Sequence, residues 1–395
     1  MCYLSKQDNA YYMILLALKM LIGNRAASIG VIFGIFLATL LISQQAAIFL
    51  GLVSRSYRMV TDMPGPNIWV IDPVTESDEK VRSMPEGYLD VVRSIHDIEW
   101  AVPFDVMYVP LVTQNGTFEI GHLYGIDDAT LIGGPAEMIE GNIKDLRREG
   151  SVIIDIYSAN GSLAKTLPDG TKVPLRIGDS FEINSHRAVV VGICKVTQGF
   201  YPQPIIFSTV SQFKYFASFQ KNSVEFIAAK TRPGADVNKV LKTINSYSVL
   251  NGLTRDEFEW RIAKSFLKTG ILINFGLSVA LGIIIGFSIA GQIFYIMTLE
   301  NLKYYALIKA IGGNQRLITQ MITTQAALVG VIGYLLGTGC TIIWGYAIRE
   351  TTLAFLFPWE LLLFTAVIVS IICLFTAILS IHKVFITDPK TLLGT

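Results

Sequence analysis

Four long segments without a charged side chain constrain this chain more than any other feature. They cover residues 26–54, 269–299, 317–348 and 361–381, and none of them contains Asp, Glu, Lys or Arg. About 20 consecutive apolar residues suffice for an α-helix to cross the hydrocarbon core of a bilayer, so each segment is long enough to do so. The composition agrees, with 52% hydrophobic and 16% charged residues. The sequence therefore predicts an α-helical membrane protein with four transmembrane helices.

A polar block of roughly 200 residues separates the first two apolar segments and is large enough to bury its own core. Short stretches such as 67–71 and 152–157 predict strands, and residues 86–95 have the apolar spacing of a helix. Asn115 and Gly116 lie between two further strand-like stretches and predict a hairpin turn. The predicted fold class is therefore four membrane helices plus a large α+β domain of two lobes, inserted between helices 1 and 2.

These patterns divide the chain into nine predicted segments. They are an interfacial helix in 1–25, membrane helix 1 in 26–54, the α+β domain in 55–262, a stalk and membrane helix 2 in 263–299, a short surface helix in 300–316, membrane helix 3 in 317–348, a short outer loop in 349–360, membrane helix 4 in 361–381 and a tail in 382–395. The charged helix 255–268 is expected to run without a break into the second membrane helix.

The basic residues near the membrane segments cluster on one predicted side. They are Lys6, Lys19, Arg25, Lys303, Lys309, Arg316, Lys383 and Lys390, against the acidic Asp8, Glu300 and Asp388. Loops rich in Lys and Arg stay in the cytoplasm. Both termini and the loop 300–316 are therefore expected to be cytoplasmic, with the large domain on the other side of the membrane.

Several kinds of chemistry are not predicted for this sequence. The phosphate-binding pattern G-x-x-x-x-G-K-[ST] does not occur, so the chain is not expected to hydrolyse ATP by that route. Its four histidines are scattered without metal-ligand spacing. The four apolar segments also lack the ionisable groups that a proton- or ion-coupled carrier needs along its path. We therefore predict no catalytic, cofactor-binding or metal-binding residues in this chain.

Residues 300–313 predict a short amphipathic helix directly after the second membrane helix. Its apolar residues are Leu302, Ala306, Ile308, Ala310 and Ile311, its charged residues are Glu300, Lys303 and Lys309, and it ends at Gly312 and Gly313. A membrane-spanning rod that continues into a surface helix is typical of a mechanical joint.

Glycines at four-residue spacing mark two of the membrane helices. Gly282 and Gly286 lie in the second helix, and Gly333 and Gly337 lie in the third. Such faces let helices approach closely. They predict helix packing either within the bundle or between two protomers, and the sequence favours neither.

Together these features resemble the permease subunits of the MacB/FtsX family of ABC transporters. The family's short segment after the second span typically reads E-R-x-R-E-[IV]-[GA]-[IV]-[LM]-[RK]-A-[LI]-G-A. The matching residues here are Glu300, Lys303, Ala306, Lys309, Ala310, Ile311 and Gly312, whereas Tyr304 replaces the usual acid. The form K-Y-Y-A-L-I-K-A-I-G, together with M-V-T-D-M-P-G-P-N-I-W-V-I at 59–71, is closer to the DevC-like branch of the family.

The resemblance implies a membrane subunit of an ATP-driven exporter. Its short helix would dock on a separate cytoplasmic ABC ATPase, which binds ATP and Mg²⁺, while this chain binds no cofactor. The implied ATPase-coupling residues are Glu300, Leu302, Lys303, Ala306, Lys309, Ala310, Ile311 and Gly312, with Leu302, Ala306 and Ile311 filling a groove on the ATPase.

Further partners and a location follow from the same resemblance. They are a second copy of the chain, a periplasmic adaptor, an outer-membrane channel and membrane lipids, but no nucleic acid. The chain would lie in a bacterial inner membrane with its large domain in the periplasm. The substrate would be a lipid-like or amphipathic molecule or a peptide.

Two alternatives remain open at the sequence level. FtsX-like relatives of the same architecture regulate an extracytoplasmic partner, such as a cell-wall hydrolase, and export nothing. The helix at 300–313 is also compatible with simple contact with lipid headgroups. A membrane enzyme is disfavoured because no catalytic constellation is present.

Overall fold

The chain divides into two compact units in a computed structural model. The structure describes residues 18–167, 170–199, 203–217, 222–310, 312–349, 351 and 353–386. One unit, here called the inserted domain, is Leu52–Thr269. The other, here called the membrane unit, combines Met1–Gly51 with Gly270–Thr395.

The helices of both units are numbered along the chain. They are α1 (Arg25–Ser56), α2 (Arg58–Thr61), α3 (Gly87–Arg93), α4 (Ile156–Asn160), α5 (Val210–Ala217), α6 (Val237–Ile244), α7 (Arg255–Leu267), α8 (Ile271–Glu300), α9 (Leu302–Ala310), α10 (Gln315–Ile348) and α11 (Trp359–Ile386). Residues 18–23 are also helical, and Ile143–Arg147 forms a 3₁₀ turn.

Four of the described helices are long and apolar enough to cross a membrane. They are α1, α8, α10 and α11, and they agree with the four predicted spans to within a few residues. Inside the bundle, the Ser43 and Thr341 hydroxyls lie 2.7 Å apart and join α1 to α10. The backbone N–H of Leu356 also donates to the carbonyl of Ala47 at 3.0 Å. The membrane unit is therefore a packed bundle with hydrogen bonds between its helices.

The inserted domain is built on a continuous ten-stranded sheet. The strands are β1 (Ile68–Ile71), β2 (Met84–Pro85), β3 (Ile98–Val112), β4 (Phe118–Ile126), β5 (Glu137–Gly141), β6 (Ser151–Asp155), β7 (Lys165–Thr166), β8 (Lys172–Val173), β9 (Ser180–Ile183), β10 (His186–Lys195), β11 (Ile205–Thr209), β12 (Ser223–Val224), β13 (Phe226–Thr231) and β14 (Asn251–Thr254). The order in the large sheet is β14-β1-β13-β3-β4-β11-β6-β10-β5, and β9 pairs with β10 and β3.

The long strand β3 belongs to both halves of this sheet. Its first part pairs with β13 up to Phe104 opposite Phe226, and its second part pairs with β4 from Asp105 onward. Helices α3 and α6 supply buried residues to the first half, and α4 and α5 supply them to the second. The predicted hairpin at Asn115-Gly116 lies between β3 and β4, and Gly116 has the positive φ of 76° that its turn needs. The two predicted lobes thus share one strand and one sheet.

The predicted unbroken stalk is wrong. Helix α7 begins at a capping box of Thr254 and Glu257, ends at Leu267, and is followed by a new helix from Ile271. Between them Gly270 has a φ of 84°, in the left-handed region that glycine enters at little cost. The boundary between the two units falls at the same place. A glycine inside an apolar run therefore interrupts the helix that the sequence pattern predicts as continuous.

Candidate functional site

Helix α9 packs its apolar face against the membrane bundle. Leu302, Tyr305 and Ala306 are only 9%, 1% and 5% exposed, and their spacing places them on one side of the helix. They join a cluster that includes Ile318 and Ile322 of α10. Leu302 and Ala306 therefore hold α9 in place, and the expectation that they fill a groove on a partner does not fit their burial.

The opposite face of α9 is exposed. Tyr304 is 61% exposed and Leu307 is 54% exposed, and Lys303 is exposed beside them. Lys309 is half-buried, and Arg316 at the start of α10 is exposed. This face carries a large aromatic ring, an isobutyl group and basic residues at its edge, which is a suitable composition for a docking surface.

Two of the predicted coupling residues lie partly or wholly outside the described structure. Ile311 is not among the described residues, and the side chain of Ala310 is likewise outside them. The roles of both residues remain as predicted from the sequence.

Polar contacts tie the N-terminal half of α9 to the rest of the membrane unit. Asn24, at the start of α1, donates its side-chain N–H to the Glu300 carboxylate just before α9. The Tyr305 hydroxyl donates to Oε1 of Gln325 at 3.2 Å, and Nε2 of Gln325 lies 3.7 Å from the sulfur of Met20. Because Gln325 is 1% exposed in an apolar bundle, its hydrogen bonds fix the position of α9 on α10.

Gly312 ends α9 in a specific backbone conformation. Its φ is 93°, and its N–H donates to the carbonyl of Lys309 at 3.2 Å. The N–H of Gly313 donates to the carbonyl of Ile308 at 2.8 Å. This pair of bonds is the Schellman arrangement, in which a glycine in the left-handed region stops the helix. Gly312 therefore shapes the turn between α9 and α10, whatever it contacts on a partner.

The four predicted packing glycines all face α1 of the same chain. A Cβ atom added at Gly282 would lie 3.1 Å from Ile42, and one at Gly286 would lie 2.3 Å from Ala38. A Cβ at Gly333 would lie 2.7 Å from Ile35, and one at Gly337 would lie 2.6 Å from Thr39. Of the two possibilities left open by the sequence, these glycines serve packing within the bundle, because a side chain on α8 or α10 would collide with α1.

Family models match both units of the chain. The MacB-like periplasmic core domain matches residues 26–247, which is more than half of the chain, and the FtsX-like permease C-terminal domain matches residues 276–389. The chain belongs to the MacB/FtsX family of ABC-transporter permeases. Permeases of this family work with cytoplasmic ABC ATPases, and helix α9 lies inside the FtsX-like match.

Two solved structures similar to this permease are a periplasmic and an extracellular domain. The periplasmic region of MacB from Actinobacillus actinomycetemcomitans is 12% identical, covering 51% of this chain and 95% of that one, with a TM-score of 0.39. The extracellular domain of the transporter YknZ from Gram-positive bacteria is 14% identical, covering 48% and 100%, with a TM-score of 0.35. Comparison with curated proteins gives no match.

Sequence reasoning missed the residues that anchor this permease's α9 and those that it exposes. Gln325 is an uncharged residue in an apolar span, and it is not found when only ionisable side chains are considered there. Tyr304 stands out in the sequence only as a departure from the family's usual acid. A polar side chain at mid-span, where apolar residues are expected, is the one signal that would have indicated Gln325.

Proposed function

We propose that this permease is the membrane subunit of an ATP-driven exporter and that α9 receives the movement of a separate cytoplasmic ATPase. The observation that carries the proposal is the two-sided character of α9. Tyr305 is fixed inside the bundle, whereas Tyr304 and Leu307 are exposed on the other side. A short helix that presents an aromatic and an aliphatic side chain suits docking into a groove.

The charges around this face suit an acidic partner surface. Lys303 and Arg316 are exposed and Lys309 is half-buried. The ATPase would bind ATP and Mg²⁺, and its acidic residues would pair with these three basic groups. Such exposed pairs mainly orient a partner, while the buried contacts supply most of the affinity.

Movement of α9 passes into the bundle through its buried side chains. Tyr305 and Gln325 connect α9 to α10, and Gln325 connects to Met20 in the helical segment 18–23. Because α7 and α8 are separate helices, the continuous helix that the sequence predicts there is not available to carry the movement into the inserted domain. Helix α1 offers a continuous route along the chain, since it runs without interruption from Gly51 into the inserted domain at Leu52.

An apolar cavity in the membrane unit supports a lipid-like or amphipathic substrate. Its volume is ≈ 380 Å³, within the range of small-molecule sites. Its lining comes from α1, α8 and the start of α11, and is mostly apolar, with Phe49, Leu50, Leu272, Phe275 and Phe364, but it also includes the acidic Glu360. In this proposal a dimer of the permease works in an inner membrane with a periplasmic adaptor and an outer-membrane channel, as in the DevC-like branch.

Co-purification from detergent-solubilised membranes tests the docking role of α9. In the variant Tyr304→Glu/Leu307→Glu we expect at least about a tenfold loss of co-purified ATPase, because a residue that becomes a central anchor of an interface costs more than about 1 kcal/mol when it is replaced, and about 1.4 kcal/mol is tenfold in affinity. The matched control is Tyr247→Glu/Val249→Glu, which places the same charges on exposed positions of the inserted domain. The control is expected to retain the ATPase.

The identity of the other co-purified proteins separates the exporter from a regulator. An adaptor retained by both variants supports export, whereas a cell-wall hydrolase in its place would indicate an FtsX-like regulator. Equal ATPase recovery in the α9 variant and the control would contradict the docking role. Absence of any ATPase from the wild-type sample would contradict the proposal as a whole.

A further inference from the structure

A buried arginine in the inserted domain forms no ion pair with a carboxylate in the described part of the chain. Arg58, on the short helix α2, is 6% exposed. Its Nη2 lies 3.1 Å from Nδ1 of His122, and its Nε lies 3.4 Å from the hydroxyl of Tyr124. Among the described residues, no carboxylate lies within ion-pairing distance of this guanidinium. Buried charges are normally paired, because taking an unpaired charge out of water is costly.

His122 does not compensate this charge. Burial, and then the charge of Arg58, lower the pKa of His122 well below its usual value, so the ring is neutral. Because arginine only donates, Nδ1 of His122 accepts and the proton lies on Nε2. Nε2 is buried and has no acceptor in the described part of the chain. The cluster therefore contains a full positive charge, a neutral ring and an unused N–H donor.

A small polar cavity opens beside Arg58. Its volume is ≈ 50 Å³, which at roughly 10–15 Å³ per water corresponds to a few waters or one small anion. The side chains around it include Arg58, Ser77, Asp78, Lys80, Tyr108 and Ser265. The Tyr108 ring stacks on His122 with centroids 4.4 Å apart and an interplanar angle of 7°. A whole lipid or peptide does not fit in this space, but a phosphate or carboxylate group does.

Of the two acids among the described residues that line the cavity, Asp78 is the more buried, and its carboxyl is a weaker acid than usual. Asp78 is half-buried. Burial raises the pKa of its carboxyl to about 6, although the charge of Arg58 opposes this rise. The other acid of the cavity, Glu79, is exposed. The positive charge of Arg58 is therefore only partly balanced by its own surroundings.

We propose that this cavity binds a small anionic group of phosphate or carboxylate size and that the Arg58 guanidinium is its charged contact. Two sources of such a group are available, a free anion and the headgroup of a lipid. Arg55, Ser56 and Thr269 line the same cavity at the two ends of the inserted domain, where the chain leaves and rejoins the membrane unit. The inference does not depend on whether the permease exports or regulates.

Calorimetric titration of the full chain in maltoside micelles tests the site. The probes are inorganic phosphate and dioctanoyl phosphatidic acid, with dioctanoylglycerol as the uncharged control for the acyl chains. Saturable binding of phosphate supports an anion site open to free anions. Binding of phosphatidic acid alone, without dioctanoylglycerol binding, supports a headgroup site. Binding of neither anionic probe overturns the proposal.

Two variants that are expected to change the affinity for the anionic probe in opposite directions test whether it binds at Arg58. Arg58→Gln is expected to weaken binding at least about tenfold, the usual value of a hydrogen bond to a charged group. Asp78→Asn removes the competing acid and is expected to strengthen binding roughly threefold or more. Arg82→Gln is the matched control, since Arg82 is exposed and pairs with Asp72 at 3.8 Å. Equal affinity in wild type, Arg58→Gln and Asp78→Asn overturns the assignment.

A further variant covers the case in which Arg58→Gln does not fold. A Cβ atom at Gly199 would lie 1.6 Å from Nη1 of Arg58, so Gly199→Ala displaces the guanidinium and keeps its charge. Binding is then expected to weaken in Gly199→Ala while Asp78→Asn still strengthens it. If Arg58 serves only in packing, the wild type binds neither anionic probe, and neither Gly199→Ala nor Asp78→Asn changes that result.

Discussion

Asp105 shows at the level of a single residue how the sheet of the inserted domain is joined. It lies in β3 where pairing passes from β13 to β4, and its carboxylate accepts the N–H of Glu225 at 2.9 Å. The Glu225 carboxylate in turn accepts the N–H of Val106 at 2.7 Å. Both acids are buried, with 2% and 3% of their surface exposed. Two carboxylates thus satisfy backbone donors where the regular ladder is interrupted.

The stability of this permease should depend on pH through Asp105. Burial raises the pKa of Asp105 to about 7, despite the hydrogen bond from Glu225 that favours the charged form. In the unfolded chain the pKa of an aspartate is about 3.9, so between these values the folded state binds more protons. Stability therefore rises as the pH falls from about 8 toward 5. Asp105→Asn should raise the unfolding temperature at pH 8 and reduce this pH dependence.

Thermal unfolding of the full chain in micelles at pH 5.5 and pH 8 measures the effect. Asp90→Asn is the matched control, because Asp90 carries the same group on an exposed position of α3. It should leave the unfolding temperature and its pH dependence close to those of wild type. A variant Asp105→Asn that is less stable than wild type at pH 8 would mean that the buried carboxylate stabilises the fold in its charged form.

At the level of elements, the contact of α9 with α10 depends on a few polar atoms in an apolar environment. The Tyr305–Gln325 hydrogen bond lies inside a cluster that is otherwise aliphatic and aromatic. Hydrogen bonds between helices in membranes contribute about 0.6 kcal/mol on average and up to about 1.7 kcal/mol. Because a buried polar group that loses its partner is costly, removing both members should cost less than the sum of the two single removals.

A double-mutant cycle on Tyr305 and Gln325 tests this coupling. We expect Tyr305→Phe and Gln325→Leu each to lower the free energy of unfolding, and the double variant to lower it by less than their sum. Tyr304→Phe is the control, since it removes the same hydroxyl from the exposed face of α9. Unfolding in mixed micelles with increasing denaturing detergent measures all four. Strict additivity would indicate that the two side chains do not share a stabilising hydrogen bond.

The four spans, the hairpin and several strands could be predicted from the sequence. Each span is indicated by many consecutive apolar residues, and the hairpin is indicated by a residue pair that favours one turn type. Twenty apolar residues have few alternatives to a membrane helix, and Asn115-Gly116 favours one kind of turn. The break at Gly270 could not be predicted, since glycine is also common inside membrane helices. The apolar face of α9 was assigned to a groove on the ATPase. An apolar stripe shows that some surface covers it, but the sequence does not indicate which surface. Here the bundle itself covers Leu302 and Ala306.

At the level of the whole molecule, the orientation in the membrane is a prediction that rests on charge and on the family. The positive-inside rule places α9 and both termini in the cytoplasm, and a MacB-like core domain is extracytoplasmic. Both arguments predict the same arrangement, in which α9 is cytoplasmic and the inserted domain is extracytoplasmic. The side on which each terminus lies remains a prediction.

Cysteine labelling tests this orientation directly. In a background where Cys2 and Cys340 are replaced by Ala, Ser94→Cys on the inserted domain should react with a membrane-impermeant maleimide added to spheroplasts. Lys303→Cys on α9 should react only after the cells are opened, because a charged maleimide does not cross the membrane. Both positions are exposed, so burial does not protect either of them. Labelling of Lys303→Cys in intact spheroplasts would reverse the predicted orientation.

The buried amide of Gln325 gives the contact between α9 and α10 a single permitted register. Sliding one helix along the other by one turn, about 5.4 Å, would place an aliphatic neighbour where the Tyr305 hydroxyl now lies and leave the amide without a donor. An interface of purely aliphatic residues would tolerate many intermediate positions with little change in energy. Under the proposed coupling role, a displacement of α9 would therefore either move α10 with it or break the Tyr305–Gln325 hydrogen bond.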